Sequence, residues 1–207
     1  MKRDKETKNK LLQSAREEFM EKGYMNASLR NICKNAGVTT GALYFFFEDK
    51  ADLFKAITRD TIEGIHQLMQ KHYNDEKAIF GSGMPTDNIL AEHNQDMEES
   101  AMILHQMYLH REEVLLILTK SQGSGMENIV DIFVEESQKH LALMAGQMQL
   151  SYPDKVIDPN LIHWLAHMQI DAFIYMITHI EKEEEALRFM QQMILHMTSG
   201  WYGLFAN

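Results

Sequence analysis

The chain reads as an all-α protein of about nine helices, and three observations predict this. Apolar residues recur at intervals of three and four almost throughout, whereas the alternation expected of half-buried strands is nearly absent. Proline occurs only at positions 85, 153 and 159, so long stretches are free of helix breakers. The 207 residues are 45% apolar, enough to bury a sizeable core.

The first helix is predicted over residues 5 to 22, with Leu12, Ala15 and Phe19 on one face and Gly23 as its stop. Ser28 is a good N-cap for a second helix, because its hydroxyl can accept from an otherwise orphaned first-turn amide. Leu29, Ile32, Cys33 and Ala36 follow the i, i+3, i+4, i+7 pattern without a miss, and Gly37 supplies a left-handed stop. Thr39 can cap a short third helix through about residue 46. Asp49 can cap a fourth, carrying Leu53, Phe54, Ile57, Thr61, Ile65, Leu68 and Met69 toward Tyr73.

Residues 80 to 87, with Gly81, Ser82, Gly83 and Pro85, read as a loop. Helices are predicted over residues 88 to 110 and 112 to 120, followed by a break at Gly123, Ser124 and Gly125. Met126, Ile129, Val130, Phe133, Ser137, Leu141, Met144 and Met148 then trace one long amphipathic face. Another break covers residues 151 to 158, where Asp158 and Pro159 supply an N-cap and a proline at the first helical position. The last two helices are predicted over residues 159 to 180 and 183 to 205, and there is no internal repeat.

Charge divides the chain. The net charge is −10, but residues 1 to 60 carry +3 and residues 61 to 207 carry −13. The basic excess lies in Lys2, Arg3, Lys5, Lys8 and Lys10, which suits a nucleic-acid-binding end on an acidic body. The single cysteine, Cys33, excludes an intrachain disulfide and suits a reducing compartment. The charged start is followed by no apolar run of the kind a secretory signal needs, so a cytoplasmic protein is expected. The apolar stretch 161 to 180 contains Gln169, Asp171 and three histidines, which makes a buried helix a better reading than a membrane span.

The densest local signal is SLRNICKNAGVTTGALYFFFEDK, residues 28 to 50. Two short helices joined by a glycine-containing turn, the second opening on small polar residues, form the geometry with which a helix enters the DNA major groove. Ala36 and Gly37 allow close crossing and Val38 and Leu43 can plug the junction, leaving Thr39, Thr40, Gly41, Tyr44 and Phe45 outward. Phe47 reads as core.

The run from Ala36 to Phe47, followed by Lys50 and Leu53, resembles the signature of the TetR family of transcriptional regulators, a match confined to about the first 60 residues. The resemblance implies that Thr39, Thr40 and Gly41 open a recognition helix. It also implies that Tyr44 and Lys50 hold phosphates, with Ser28 and Arg30 at the backbone or groove edge beside them. Phe45 and Phe46 stand where relatives often carry tyrosine and histidine, so Phe45 is left to pack on a sugar or a thymine methyl. The implied organisation is a DNA-binding domain over residues 1 to 50, a linking helix from about residue 49, and an effector-binding and dimerisation domain over residues 51 to 207. The implied activity is that of a homodimeric repressor, released from a palindromic operator in double-stranded DNA by a small molecule.

The last two helices carry more apolar surface than one neighbour covers. Leu161, Leu165, Met168, Ala172 and Met176, with Leu187, Met190, Ile194, Met197 and Trp201, form the stripe expected at a four-helix dimer contact. Trp164, Phe173, Ile174 and Ile177 form a second stripe on the first of these helices. Thirteen of the sixteen methionines follow residue 60, and a methionine-rich interior adapts to ligands of varied shape. The expected pocket walls are Met102, His105, Met107, Tyr108, Phe133, Met144, Trp164, His167 and Met168.

Other chemistries find little support. His163 and His167 share a helix face, but no glutamate or cysteine completes a recognisable ligand set, so neither metal nor cofactor is expected. No phosphate-binding glycine loop or nucleophile elbow is present, and no enzymatic activity is expected.

Overall fold

Gly23 breaks the first helix where the sequence predicts its end. In a computed structural model, which describes residues 2–81 and 89–205, α1 (Lys2–Asn26) passes through Gly23 at φ 72° and ψ 162°. Helical backbone then resumes, because the Ala27 N–H reaches the Gly23 carbonyl at 3.1 Å. Helical geometry thus breaks where the sequence predicts the stop, and one further turn follows across the kink. The remaining helices are α2 (Leu29–Ala36), α3 (Thr40–Phe46), α4 (Lys50–Gly81), α5 (Ile89–Leu109), α6 (Arg111–Lys120), α7 (Ile129–Ser151), α8 (Pro159–His179) and α9 (Glu183–Gly203). The described residues thus form nine helices and no strand, as the periodicity predicts.

The caps follow the chemistry read from the sequence. The Ser28 hydroxyl accepts from the Asn31 N–H, that of Thr39 from the Ala42 N–H, and the Asp158 carboxylate from the Asn160 N–H ahead of Pro159. Gly37 ends α2 in the left-handed region at φ 67°. α4 continues to Gly81, so Phe80 and Gly81 are helical rather than loop. The remainder of the predicted loop, residues 82 to 87, lies outside the described residues. No helix among the described residues is long and apolar enough to cross a membrane.

Two compact units result. The first comprises Met1–Glu63 with His110–Ile129. Its core joins Leu11, Ala15 and Phe19 of α1 to Ile32, Leu43, Phe47, Leu53, Phe54 and Leu116. Phe54 meets Phe19 and Tyr24 edge-on, with centroids 5.2 and 5.4 Å away, the geometry aromatic quadrupoles favour. α6 joins this unit through Leu116 and through an ion pair between Glu113 and Arg16 at 2.7 Å.

The second unit comprises Gly64–Leu109 and Val130–Asn207. α5 packs on α8 and α9 around Leu104, Met176, Ala186, Met190 and Ile194. The Tyr108 hydroxyl shares its proton between the carbonyls of Met176 and Ile180 at 3.0 and 2.8 Å, at the end of α8 where Met176 also accepts from the Ile180 N–H. Met144 and Met148 of α7 meet Phe205 and Trp201 in a further apolar cluster.

Candidate nucleic-acid interface and cavity

α3 begins where Thr39 caps it and is seven residues long. Leu43 fixes it to the first core with no exposed surface, and Phe47 follows it inward. One turn of helix cannot bury a run of four aromatics, and the other side of α3 is open: Tyr44 is 58% and Phe45 76% exposed. Thr39, Thr40, Gly41 and Arg30 are exposed as well. Ser28 is half-buried, its hydroxyl spent on the α2 cap.

Beneath this face lies Glu18, a carboxylate that sequence reasoning did not single out. Although α1 carries it, it accepts from the Ser28 N–H at 3.1 Å, from Asn31 Nδ2 at 3.4 Å and from Lys22 Nζ at 2.9 Å. Burial alone would push its carboxyl up, but the bonds from Lys22, Ser28 and Asn31 prevail and hold it below the ordinary carboxylate range. Glu18 thereby fixes the start of α2 on α1.

Lys50 also has a structural post. Its ammonium donates to the carbonyls of Tyr24, Met25 and Ala27 at 2.8, 3.2 and 3.2 Å. An ammonium has three donors, so all of them are engaged at the junction between α1 and α4, and a phosphate would have to compete with these carbonyls for Lys50.

The second unit encloses a cavity of about 330 Å³. Most of its wall is apolar and sulfur-rich, with Met144, Met168, Met193 and Met197 beside Trp164 and Trp201. His72 and Glu76 of α4, Asp96 of α5 and His140 of α7 form a polar end. His140 Nε2 lies 2.6 Å from a Glu76 oxygen, and the His140 ring stacks on Tyr73 with centroids 4.1 Å apart. His72 Nδ1 meets Glu99 Oε2 at 2.5 Å. Burial works against ionisation of Glu76, but the His140 bond and the charges of His72 and His140 hold its carboxyl below the ordinary range.

Of the nine residues expected in the pocket wall, Met144, Trp164 and Met168 line this cavity and the other six do not. Met102 is 44% exposed, and His105 turns outward to an ion pair with Glu183 at 2.8 Å. Met107 is buried elsewhere, and Tyr108 holds the end of α8. Phe133 rests near the His66 ring, and His167 packs edge-on against His163. Apolar periodicity marked these residues as inward without showing which inner surface each one faces. The polar end was missed, although His72 and Glu76 lie four apart and so share a helix face.

Of the ten residues of the stripe expected at a dimer contact, Met176, Met190 and Ile194 are buried and the other seven are half-buried. Met176 and Met190 have no exposed surface, while Leu161, Leu165, Met168, Ile194, Met197 and Trp201 line the cavity. Ala172 and Leu187 are half-buried. The exposed large apolar side chains of α8 and α9 are Trp164, which also borders the cavity, Tyr175, Phe189 and Leu195, exposed by 57%, 47%, 39% and 57%.

A short exposed helix, capped at Thr39 and set by a glycine turn against a second helix of the same small core, defines a helix-turn-helix DNA-binding protein. Residues 11–57 match the amino-terminal domain of the bacterial regulatory proteins of the tetR family, and the relatives and solved structures that follow support a regulator of this family. It is 29% identical over 133 residues to the regulator UidR of Escherichia coli, covering 58% of this chain and 68% of that one. It is 46% identical over 52 residues to the transcriptional repressor BepR of Brucella suis, covering 25% of each. Among solved structures, a transcriptional regulator from Aquifex aeolicus superposes with a TM-score of 0.55 at 22% identity, covering 96% of this chain and 99% of that one. The TetR-family regulator PfmR from Thermus thermophilus gives 0.53 at 17%, covering 90% and 97%. At such identities the structural likeness establishes the fold.

Proposed function

We propose that the protein is a homodimeric repressor that binds a palindromic operator through α3 and releases it when a small molecule occupies the cavity of the second unit. The cavity is the observation that carries this reading. A hollow of about 330 Å³ with an apolar wall and one polar end is the form of a small-molecule site. α4 supplies His72 and Glu76 to that end and begins at Lys50, which grips the end of α1, so one helix runs through both units. A ligand that favours one setting of α4 weakens DNA binding by the same factor that DNA weakens its own binding.

In this reading Thr39, Thr40, Gly41 and Phe45 face the major groove, Tyr44 holds a phosphate and Arg30 meets the backbone beside it, with Ser28 and Lys50 holding the elements in place. Two recognition helices reading half-sites on one face of the duplex require a dimer. Trp164, Tyr175, Phe189 and Leu195 offer the outward apolar surface for it. The similarity to BepR, a repressor, favours repression. Selection of bound duplexes from a random pool tests the reading. Enriched sequences should show two inverted half-sites, and enrichment without inverted symmetry would overturn the dimeric operator.

A further inference from the structure

We propose that the polar end of the cavity binds one divalent transition-metal ion of the zinc type, coordinated by His72 Nε2 and by the carboxylates of Glu76 and Asp96. The site deepens the effector reading above and rests on it for its regulatory consequence, although not for its coordination chemistry.

The donor atoms are already gathered. One atom from each of the three side chains lies within 4.8 Å of the others. His72 Nε2 and Glu76 Oε2 are 3.6 Å apart, close to the ~3.4 Å edge of a tetrahedron whose ligands stand about 2.1 Å from the ion. His72 and Glu76 sit four residues apart on α4, and Asp96 reaches them from α5, so two packed helices fix the set.

The surrounding bonds are those that orient metal ligands. A ligating imidazole characteristically donates its other N–H to a carboxylate, which fixes the tautomer and turns the free lone pair toward the ion. His72 Nδ1 has this partner in Glu99. Once that proton is committed, the lone pair of Nε2 faces the Glu76 carboxylate, and only a proton or a cation reconciles the two. His140 steadies Glu76 at 2.6 Å.

One imidazole with two carboxylates selects zinc, cobalt or nickel over magnesium, which prefers oxygen ligands and retained water. Three protein ligands leave a tetrahedral ion one further position, and all three line the cavity. An effector with an apolar body and a metal-binding head group would complete the shell.

The test uses the full chain, stripped with a chelator and titrated with Zn(II) against a chromophoric competitor, with Co(II) absorption reporting the donor set. One Zn(II) per chain is expected, with tetrahedral Co(II) bands and no displacement by a large excess of Mg(II). Glu99→Gln should weaken Zn(II) by about 10- to 100-fold, as lost orienting partners do. His72→Ala and Glu76→Gln should lose at least as much, whereas His163→Ala should match the parent. Failure of the unmodified chain to bind Zn(II) or Co(II) overturns the site whatever the folding of the variants. So does unchanged binding by a folded His72→Ala/Glu76→Gln double variant. Operator affinity, measured separately with organic ligands and no metal, tests the effector reading and can fail or succeed independently.

Discussion

The Lys50 ammonium lies 4.6 Å from the centroid of the Tyr24 ring and at the same time donates to the Tyr24 carbonyl at 2.8 Å. One residue at the head of α4 thus holds both the side chain and the main chain of the turn that closes α1. Lys50→Met should lower the stability of the first unit by about 2 kcal/mol, a usual worth for hydrogen bonds to a charged group. Operator affinity should fall while the salt dependence of binding stays the same, because no phosphate contact disappears. Denaturant unfolding and a salt titration measure the two effects, and a slope reduced by about one would return Lys50 to the phosphate-binding set.

Tyr44 should behave in the opposite way. Its side chain is exposed, so Tyr44→Ala should leave the melting temperature nearly unchanged. Operator affinity should drop about ten- to a hundredfold, the worth of a hydrogen bond to a charged phosphate. Mobility shift of the selected duplex and thermal unfolding of the variant together check this.

Glu18 gives the first unit an acid limb. Its pKa is depressed in the folded chain, so the stability it contributes is present above its ordinary value of 4.5 and is lost as pH falls through the lower folded value. Glu18→Gln should cost about 1–3 kcal/mol at neutral pH, with the difference from the parent narrowing as acid protonates the native carboxyl. Denaturation midpoints across an acid pH series give the comparison.

The pair Tyr175 and Phe189, with ring centroids 5.5 Å apart, tests the assembly. Tyr175→Glu/Phe189→Glu should yield a folded monomer in sedimentation and a large loss of operator affinity. Met190→Ala should instead destabilise the chain by about 2–5 kcal/mol, since Met190 fills the second core with no exposed surface. A dimer that survives the double charge substitution would remove the outer face of α8 and α9 from the interface.

Gly64 reports on coupling. A Cβ at this position would stand 3.1 Å from Gln106 Nε2, so a methyl group requires only that a flexible amide move aside, whereas leucine forces α4 away from α5. Gly64→Leu should change the ratio of ligand-free to ligand-bound operator affinity more than it changes ligand-free affinity, whereas Gly64→Ala should change neither by much. Titrations of labelled operator with and without ligand decide this.

The first 60 residues were legible because several local signals agree there. Ser28, Gly37 and Thr39 each impose a geometry on their immediate neighbours, and Leu29, Ile32 and Cys33 leave one face for burial. The helices of the second unit were legible for the same reason, since Asp158 with Pro159 starts α8 by local chemistry. Which inner surface a residue faces is a long-range matter. Leu161, Leu165 and Met168 form as regular a stripe as Trp164, Phe173 and Ile174, and periodicity does not choose between two apolar stripes on one helix. The contacts of Glu18 with Ser28 and Asn31 and the union of His72 with Asp96 and His140 were hidden because each of these partners lies outside the helix it joins.

The bend at Gly23 carries a consequence for substitution. A Cβ added there would find nothing nearer than 3.9 Å, so volume is no obstacle, yet the φ of 72° with ψ of 162° belongs to a region that is essentially closed to L residues. Position 23 therefore discriminates by chirality rather than by size. A single methyl group is enough to incur the penalty, and the carbonyls that grip the lysine beyond the bend would be the first to lose their aim.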